Sequence, residues 1–171
     1  MERLEKQKCP FCGKSELALT EDEKDIPYFG KVYLFSMNCS ECKYAKSDVE
    51  SVSAKEGTKW VIEVDSAKDM EIRVVKSSNA VIKIPQMRME VKPGPASIGY
   101  ISNIEGVLDR FKKILDDQLE GLDDKSDRKK VKNLLKKLWK VKLGEVKLKI
   151  IIEDVSGNSA ILSEKAKMEK I

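Results

Sequence analysis

Two periodicities divide this chain. Between residues 60 and 91 apolar side chains alternate in short, partly β-branched runs, at 60–64, 70–75, 80–84 and 87–91, which is the pattern of strands half-buried against a core. Turn residues punctuate them at Ser77-Ser78-Asn79 and Pro93-Gly94-Pro95, so the segment predicts a β-sandwich or a jelly-roll-like barrel. From Asn103 the period becomes helical, with Ile104, Val107, Leu108, Phe111, Ile114, Leu115 and Leu119 on one face. Ser102 or Asn103 supplies a cap and Gly121 an end. A second helix, beginning near Asp123 or Asp124, presents Val131, Leu134, Leu135, Leu138 and Val141 and closes at Gly144. The two make an antiparallel hairpin over about residues 103–143, inserted into the β domain. Alternation returns at 145–152, a turn follows at Gly157-Asn158, and a last strand is expected at 160–162. Residues 164–171 are charged and offer no apolar face, so they are expected to fray.

Upstream of this lies a different unit. Cys9-Pro10-Phe11-Cys12-Gly13 and Cys39-Ser40-Glu41-Cys42 each read as a metal-binding knuckle, with Gly13 relaxing the backbone just after the second ligand. Between them, strands at 16–20 and 31–37 flank an acidic loop at 21–25 and the segment Ile26-Pro27-Tyr28-Phe29-Gly30. The expected organisation is a zinc ribbon with an enlarged hairpin over residues 1–47, a β domain over 48–163, and a tail.

Composition narrows the function classes. The chain has 171 residues, 41% hydrophobic and 36% charged, yet its net charge is only +4. That suits one main domain with a small appendage and does not mark a dedicated nucleic-acid binder. No apolar stretch approaches the length of a membrane span, and the first eight residues are too polar for a signal peptide, so a cytoplasmic protein without a membrane partner is expected. There is no histidine. The commonest general base and the Ser-His and Cys-His nucleophile pairs are therefore missing, as are a nucleotide-binding Gly-x-x-x-x-Gly-Lys loop and a defensible carboxylate pair. Catalysis is not the expected role.

All four cysteines sit in the two Cys-x-x-Cys pairs of the first quarter of the chain, whereas a disulfide scaffold would distribute them. Cys9, Cys12, Cys39 and Cys42 are the expected ligands of one zinc ion. Four thiolates close the coordination sphere and make such a site structural, since no position remains for water or substrate. A redox dithiol is the alternative, but a thioredoxin-like pair belongs in a βαβ context that this stretch lacks. Lys8, Lys14 and Lys43 are placed either to offset the site's negative charge or simply to solvate the surface.

These motifs, with Ile26-Pro27-Tyr28-Phe29-Gly30, Ile84-Pro85-Gln86-Met87, Ile104-Glu105-Gly106-Val107-Leu108 and Asp154-Val155-Ser156-Gly157-Asn158-Ser159, resemble the ZPR-type zinc-finger family across residues 9–162. The resemblance implies a four-cysteine ribbon joined to a double-stranded β-helix domain carrying a helical hairpin. Eukaryotic members hold two such modules in tandem, and this chain has room for one, like short archaeal-type members. Those relatives bind translation elongation factor 1-alpha and assist its folding, which implies here a zinc-binding adaptor or chaperone for an elongation-factor GTPase. One departure stands at the Pro93-Gly94 turn: Lys92 precedes it where the family tends to carry an acid, and Pro95-Ala96-Ser97 follows in place of a glycine-rich turn.

Other candidates have two readings each. Tyr28 and Phe29 are either an exposed anchor for a partner or packing between finger and β domain. Glu105 and Asn158 either contact a partner or serve capping and turn geometry. The stretch 125–142 carries nine Lys or Arg residues against Asp127. It is either the solvated face of an amphipathic helix or a phosphate-binding face, the latter making the protein an RNA-binding zinc ribbon. Trp139 beside the leucine stripe reads as core or hairpin packing.

Overall fold

The computed structural model describes residues 1–26, 30–51 and 56–171. Four antiparallel strands, β1 (Glu2–Gln7), β2 (Leu17–Ile26), β3 (Gly30–Cys39) and β4 (Ala45–Ser51), form one sheet in chain order. The acidic stretch 21–25, expected as a loop, is instead the far half of β2, in register with β3 from Leu17 opposite Cys39 to Ile26 opposite Gly30. Charge does not break the strand because its side chains are answered: Lys31 pairs with Glu23 at 2.7 Å and Lys24 with Asp22 at 3.0 Å. β4 carries the sheet through residue 51, past the boundary expected at 47.

The second unit is built from eight strands and two helices. β5 (Thr58–Val64), β6 (Arg73–Lys76), β7 (Val81–Ile84), β8 (Met89–Val91) and β9 (Tyr100–Asn103) precede the helices α1 (Ile104–Glu120) and α2 (Lys125–Lys142). β10 (Leu148–Asp154), β11 (Ala160–Leu162) and β12 (Lys167–Lys170) complete it. A five-stranded sheet, β12-β5-β10-β7-β8, faces a three-stranded one, β11-β6-β9. Ile62, Val64, Ile82, Ile84, Ile150 and Ile152 from the larger sheet meet Val74 and Ile161 from the smaller. The helical hairpin adds Val107, Leu108, Phe111, Leu115, Leu138 and Val141 to the same core. Its stripe is the 3.6-residue period read from the sequence, and the caps are Asn103, which accepts from the Gly106 amide at 2.9 Å, and Asp124, which accepts from Asp127. Two expected strands begin later than their patterns suggest, because 3-10 turns occupy Ala67–Glu71 and Pro85–Met87.

The C-terminal residues do not fray. β12 pairs antiparallel with β5, Lys167 opposite Val61 through Lys170 opposite Thr58, and the Ile171 amide donates to the Gly57 carbonyl at 3.0 Å. Every β12 side chain is exposed, so what the strand supplies is backbone pairing along an otherwise open sheet edge. Lys165 adds contacts of 2.7 Å to both Asp65 and Asp69. Deleting residues 164–171 is expected to lower the thermal midpoint by about 5 °C and to increase light scattering on heating, readable in one melt.

The ribbon is seated on the jelly roll rather than tethered to it. Ile26, Val32 and Val49 pack with Val75 of β6, and Ser47 exchanges hydrogen bonds with Gly99, as Gly99 N donates to Ser47 O at 3.0 Å and Ser47 Oγ to Gly99 O at 3.1 Å. A Cβ at Gly99 would stand 2.8 Å from the Val49 backbone nitrogen, so the close approach itself requires glycine.

Candidate metal centre

The ribbon's end away from this junction is shaped by two matching turns. In the first, Cys9 N donates to Lys14 O at 2.8 Å and Gly13 N to Cys9 O at 2.9 Å; in the second, Cys39 N donates to Tyr44 O at 2.8 Å and Lys43 N to Cys39 O at 3.1 Å. Each turn has a left-handed residue after its second cysteine, Gly13 at φ 73° and Lys43 at φ 60°. Glycine is free in that region, whereas Lys43 is held there with its ammonium bonded to Ser40 O at 3.0 Å. Both turns aim their thiols inward. Cys9 and Cys39 are buried beside Leu17, and all four sulfurs lie within 4.8 Å of one another.

That geometry fits zinc. With Zn–S bonds of about 2.3 Å, a regular tetrahedron has sulfur–sulfur edges of about 3.8 Å, and the Cys9–Cys42 and Cys12–Cys39 sulfurs stand 3.7 and 3.8 Å apart. A disulfide would need about 2 Å; the four thiols are free. Backbone amides of Cys12 and Phe11 favour the Cys9 thiolate and bring its pKa down to about 7. Cys42 has the help of the Tyr44 amide, but burial and the three other sulfurs push it up to about 12. Four thiolates this close do not coexist unaided, and a divalent cation is what allows all four to ionise. With every ligand from the chain, the ion is enclosed and its role is to hold the fold.

Lys14, a candidate for offsetting the thiolate charge, is ion-paired with Glu41, and that pair is the main reason its pKa is raised; Cys12 and Cys39 contribute less. Beyond the sulfurs, Phe11 is 80% exposed and its ring stacks on Tyr44 with centroids 5.9 Å apart. Sequence reading passed over Phe11, although an aromatic between two metal ligands is held on the most rigid turn of a ribbon. Tyr28 and Phe29, read either as a partner anchor or as packing, lie outside the described residues.

The remaining candidates fall elsewhere. Glu105 is in the first turn of α1 and joins Asp109 in binding the Lys142 ammonium, at 3.3 and 2.6 Å, which ties the two helices together. Asn158 follows Gly157, at φ 67°, in the turn between β10 and β11. Next to it, sequence reading missed Asp154, a fully buried carboxylate that accepts from Ser77, Ser156 and Ser159 hydroxyls at 2.5–2.7 Å. Burial opposes its charge, yet these donors outweigh burial and hold its pKa below the usual carboxylate value. On α2, Arg128 caps the Leu119 and Leu122 carbonyls and Lys137 reaches Gln86 O, so part of the basic face serves the fold. Trp139 is 59% exposed and does not pack in the core. No helix among the described residues is long and apolar enough to cross a membrane.

Comparison with known proteins agrees with this architecture. Residues 2–56 match the ZPR1 zinc-finger domain and residues 68–170 the ZPR1 jelly-roll domain. An uncharacterized ZPR1-like protein of Methanocaldococcus jannaschii is 38% identical over 165 residues, covering 96% of this chain and 83% of that protein. One from Pyrococcus horikoshii is 38% identical, with 95% and 75% covered. The zinc finger chaperone zpr1 of Schizosaccharomyces pombe is 29% identical over 160 residues, and the match takes in 90% of this chain but 33% of the yeast protein.

Proposed function

Since the chain belongs to the ZPR1 family, with a single ribbon and jelly roll, we propose that it is a non-catalytic folding factor whose client is a GTPase of the elongation factor 1-alpha type. The observation that carries this reading is the pairing of a closed sulfur cage with an exposed aromatic ring on its rim. The cage leaves no coordination position for chemistry, and Phe11, stacked on Tyr44, is presented on a turn that zinc makes rigid. An ordered aromatic loses little freedom when a partner covers it, which is what an interface anchor needs. The chaperone role named for the yeast relative points the same way.

The test is direct binding of the zinc-loaded chain to the organism's own elongation factor, added as it refolds from denaturant. Saturable binding is expected, and Phe11→Ala should weaken it about tenfold while leaving zinc content unchanged. Absence of binding to both native and refolding factor would remove the client assignment. RNA binding through the α2 face is the competing reading, and retention of RNA that falls steeply with salt would favour it.

A further inference from the structure

A cavity of about 620 Å³ opens where the ribbon meets the jelly roll. Its volume falls within the range of small-ligand sites. Loop 93–99 forms one wall and Ile82, Val91, Phe111 and Ile114 give it an apolar floor. The charged residues lining it are all cations, Lys76, Lys92 and Arg110.

Each cation is placed differently. Lys76 is 4% exposed and forms no ion pair within 4.0 Å among the described residues; its ammonium donates to the Ser77 carbonyl at 2.9 Å and sits 5.7 Å from the Tyr100 ring centre. Arg110 stacks over the same Tyr100 ring, 3.8 Å from its centroid, with one nitrogen donating to Gly106 O at 3.0 Å. Its remaining donors have no acidic partner among the described residues. Lys92 pairs with Glu90 at 3.4 Å.

The acids nearby are turned to other tasks. Asp154 is occupied by three serine hydroxyls, and Asp48 accepts from the Val49 and Ser78 amides at 2.8 Å and from the Ser78 hydroxyl. Neither lines the cavity. Burial holds the Lys76 pKa below the usual lysine value and the charges of Asp154 and Asp48 offset this only in part, so the site as a whole is not strongly positive. Such a balance disfavours a phosphate dianion and favours a single negative charge attached to an apolar body.

We infer that this cavity binds a carboxylate on an apolar body, with Arg110 and Lys76 receiving the carboxylate and the Ile82–Phe111–Ile114 floor receiving the rest. Free hydrophobic acids and the C-terminus of a peptide ending in an apolar residue share this chemistry. The inference does not depend on the client assigned above, because the cavity and the cation placement stand without it.

Amide shift mapping on the zinc-loaded full chain tests it, with 3-phenylpropanoate, its neutral amide, inorganic phosphate, and a short leucine-ended peptide with a free or an amidated C-terminus. The acid should give saturable shifts at Ser97, Tyr100 and Ile114, and the amide should bind at least about tenfold more weakly, as loss of a charge-assisted contact implies. Arg110→Gln, at an exposed position that leaves the core intact, should reduce acid binding by a similar factor with the melting temperature and zinc content unchanged. Tighter binding of the free-ended peptide than of the small acid would assign the peptide source, and the reverse order the small-molecule source. Equal binding of acid and amide, phosphate binding as tightly as the acid, or an unchanged affinity in Arg110→Gln would overturn the inference.

Discussion

Replacing Cys39 by serine, or stripping the metal with a chelator, is expected to unfold the knuckle end of the ribbon while the jelly roll stays folded. Zinc binding in small four-ligand domains is worth on the order of 10 kcal/mol, and that energy is folding energy. At this end of the sheet the alternative sources are small: among the described residues Leu17 is the one fully buried aliphatic side chain beside Cys9 and Cys39, with Leu19, Met37 and Tyr44 packed there only in part, and fully burying one such side chain contributes about 1.5–3 kcal/mol. Ordering the turns costs about 1–2 kcal/mol per residue. Without zinc the balance turns against the fold. At the junction end Ile26, Val32 and Val49 remain packed on Val75, so the loss is graded along the strands. Hydrogen exchange should show protection vanishing over residues 9–19 and 37–44 and declining less toward Ile26, Val32 and Val49. Both tryptophans, Trp60 and Trp139, belong to the jelly roll, so their fluorescence melt should move far less than the exchange pattern. Retention of full protection around Cys9 and Cys39 in the metal-free chain would show that the sulfur cage is dispensable to the fold. Acid should act like the chelator, since protons compete for the thiolates, and one zinc per chain should be released as the pH falls.

How much of this was legible in advance depended on what kind of energy specifies each element. The zinc site was readable because two Cys-x-x-Cys pairs and a missing histidine constrain chemistry directly, and the structure brings together the same four sulfurs. α1 and α2 were readable because their apolar stripes are core contacts, as Val107, Phe111, Leu115 and Leu138 show. β1 and β12 left no such trace. Their side chains are all exposed, and their places in the sheets come from backbone hydrogen bonds that any sequence can make. The acidic half of β2 misled for a related reason: a charge run signals solvent on the side chains and says nothing about whether the backbone is paired. Phe11 and Trp139 show the converse limit, since hydrophobicity alone does not tell an exposed aromatic from a packed one.

Asp154 presents the other large expected effect. Its carboxylate is fully buried at the end of β10 and gathers Ser77 after β6 with Ser156 and Ser159 before β11. The Ser77 amide in turn donates to Ser159 Oγ at 2.9 Å, so one acceptor organises the place where both jelly-roll sheets meet. Asp154→Ala leaves the buried Ser77 and Ser159 hydroxyls without their acceptor, a change that costs about 1–3 kcal/mol for each. For a chain of this size that corresponds to a fall of about 10 °C in melting temperature. Asp154→Asn keeps the shape and one acceptor oxygen but removes the charge, so it should fall between the two. The sign of the pH dependence follows from the lowered folded-state pKa: the native state binds the proton less readily than the unfolded chain does. The contribution is therefore fully present above the unfolded carboxyl value near 3.9 and is lost as pH falls through the lower folded value. Thermal melts from pH 7 to 2 should show the wild-type advantage over Asp154→Asn shrinking at the acidic end. An advantage that stays constant across that range would mean the carboxylate is held for its shape and not for its charge.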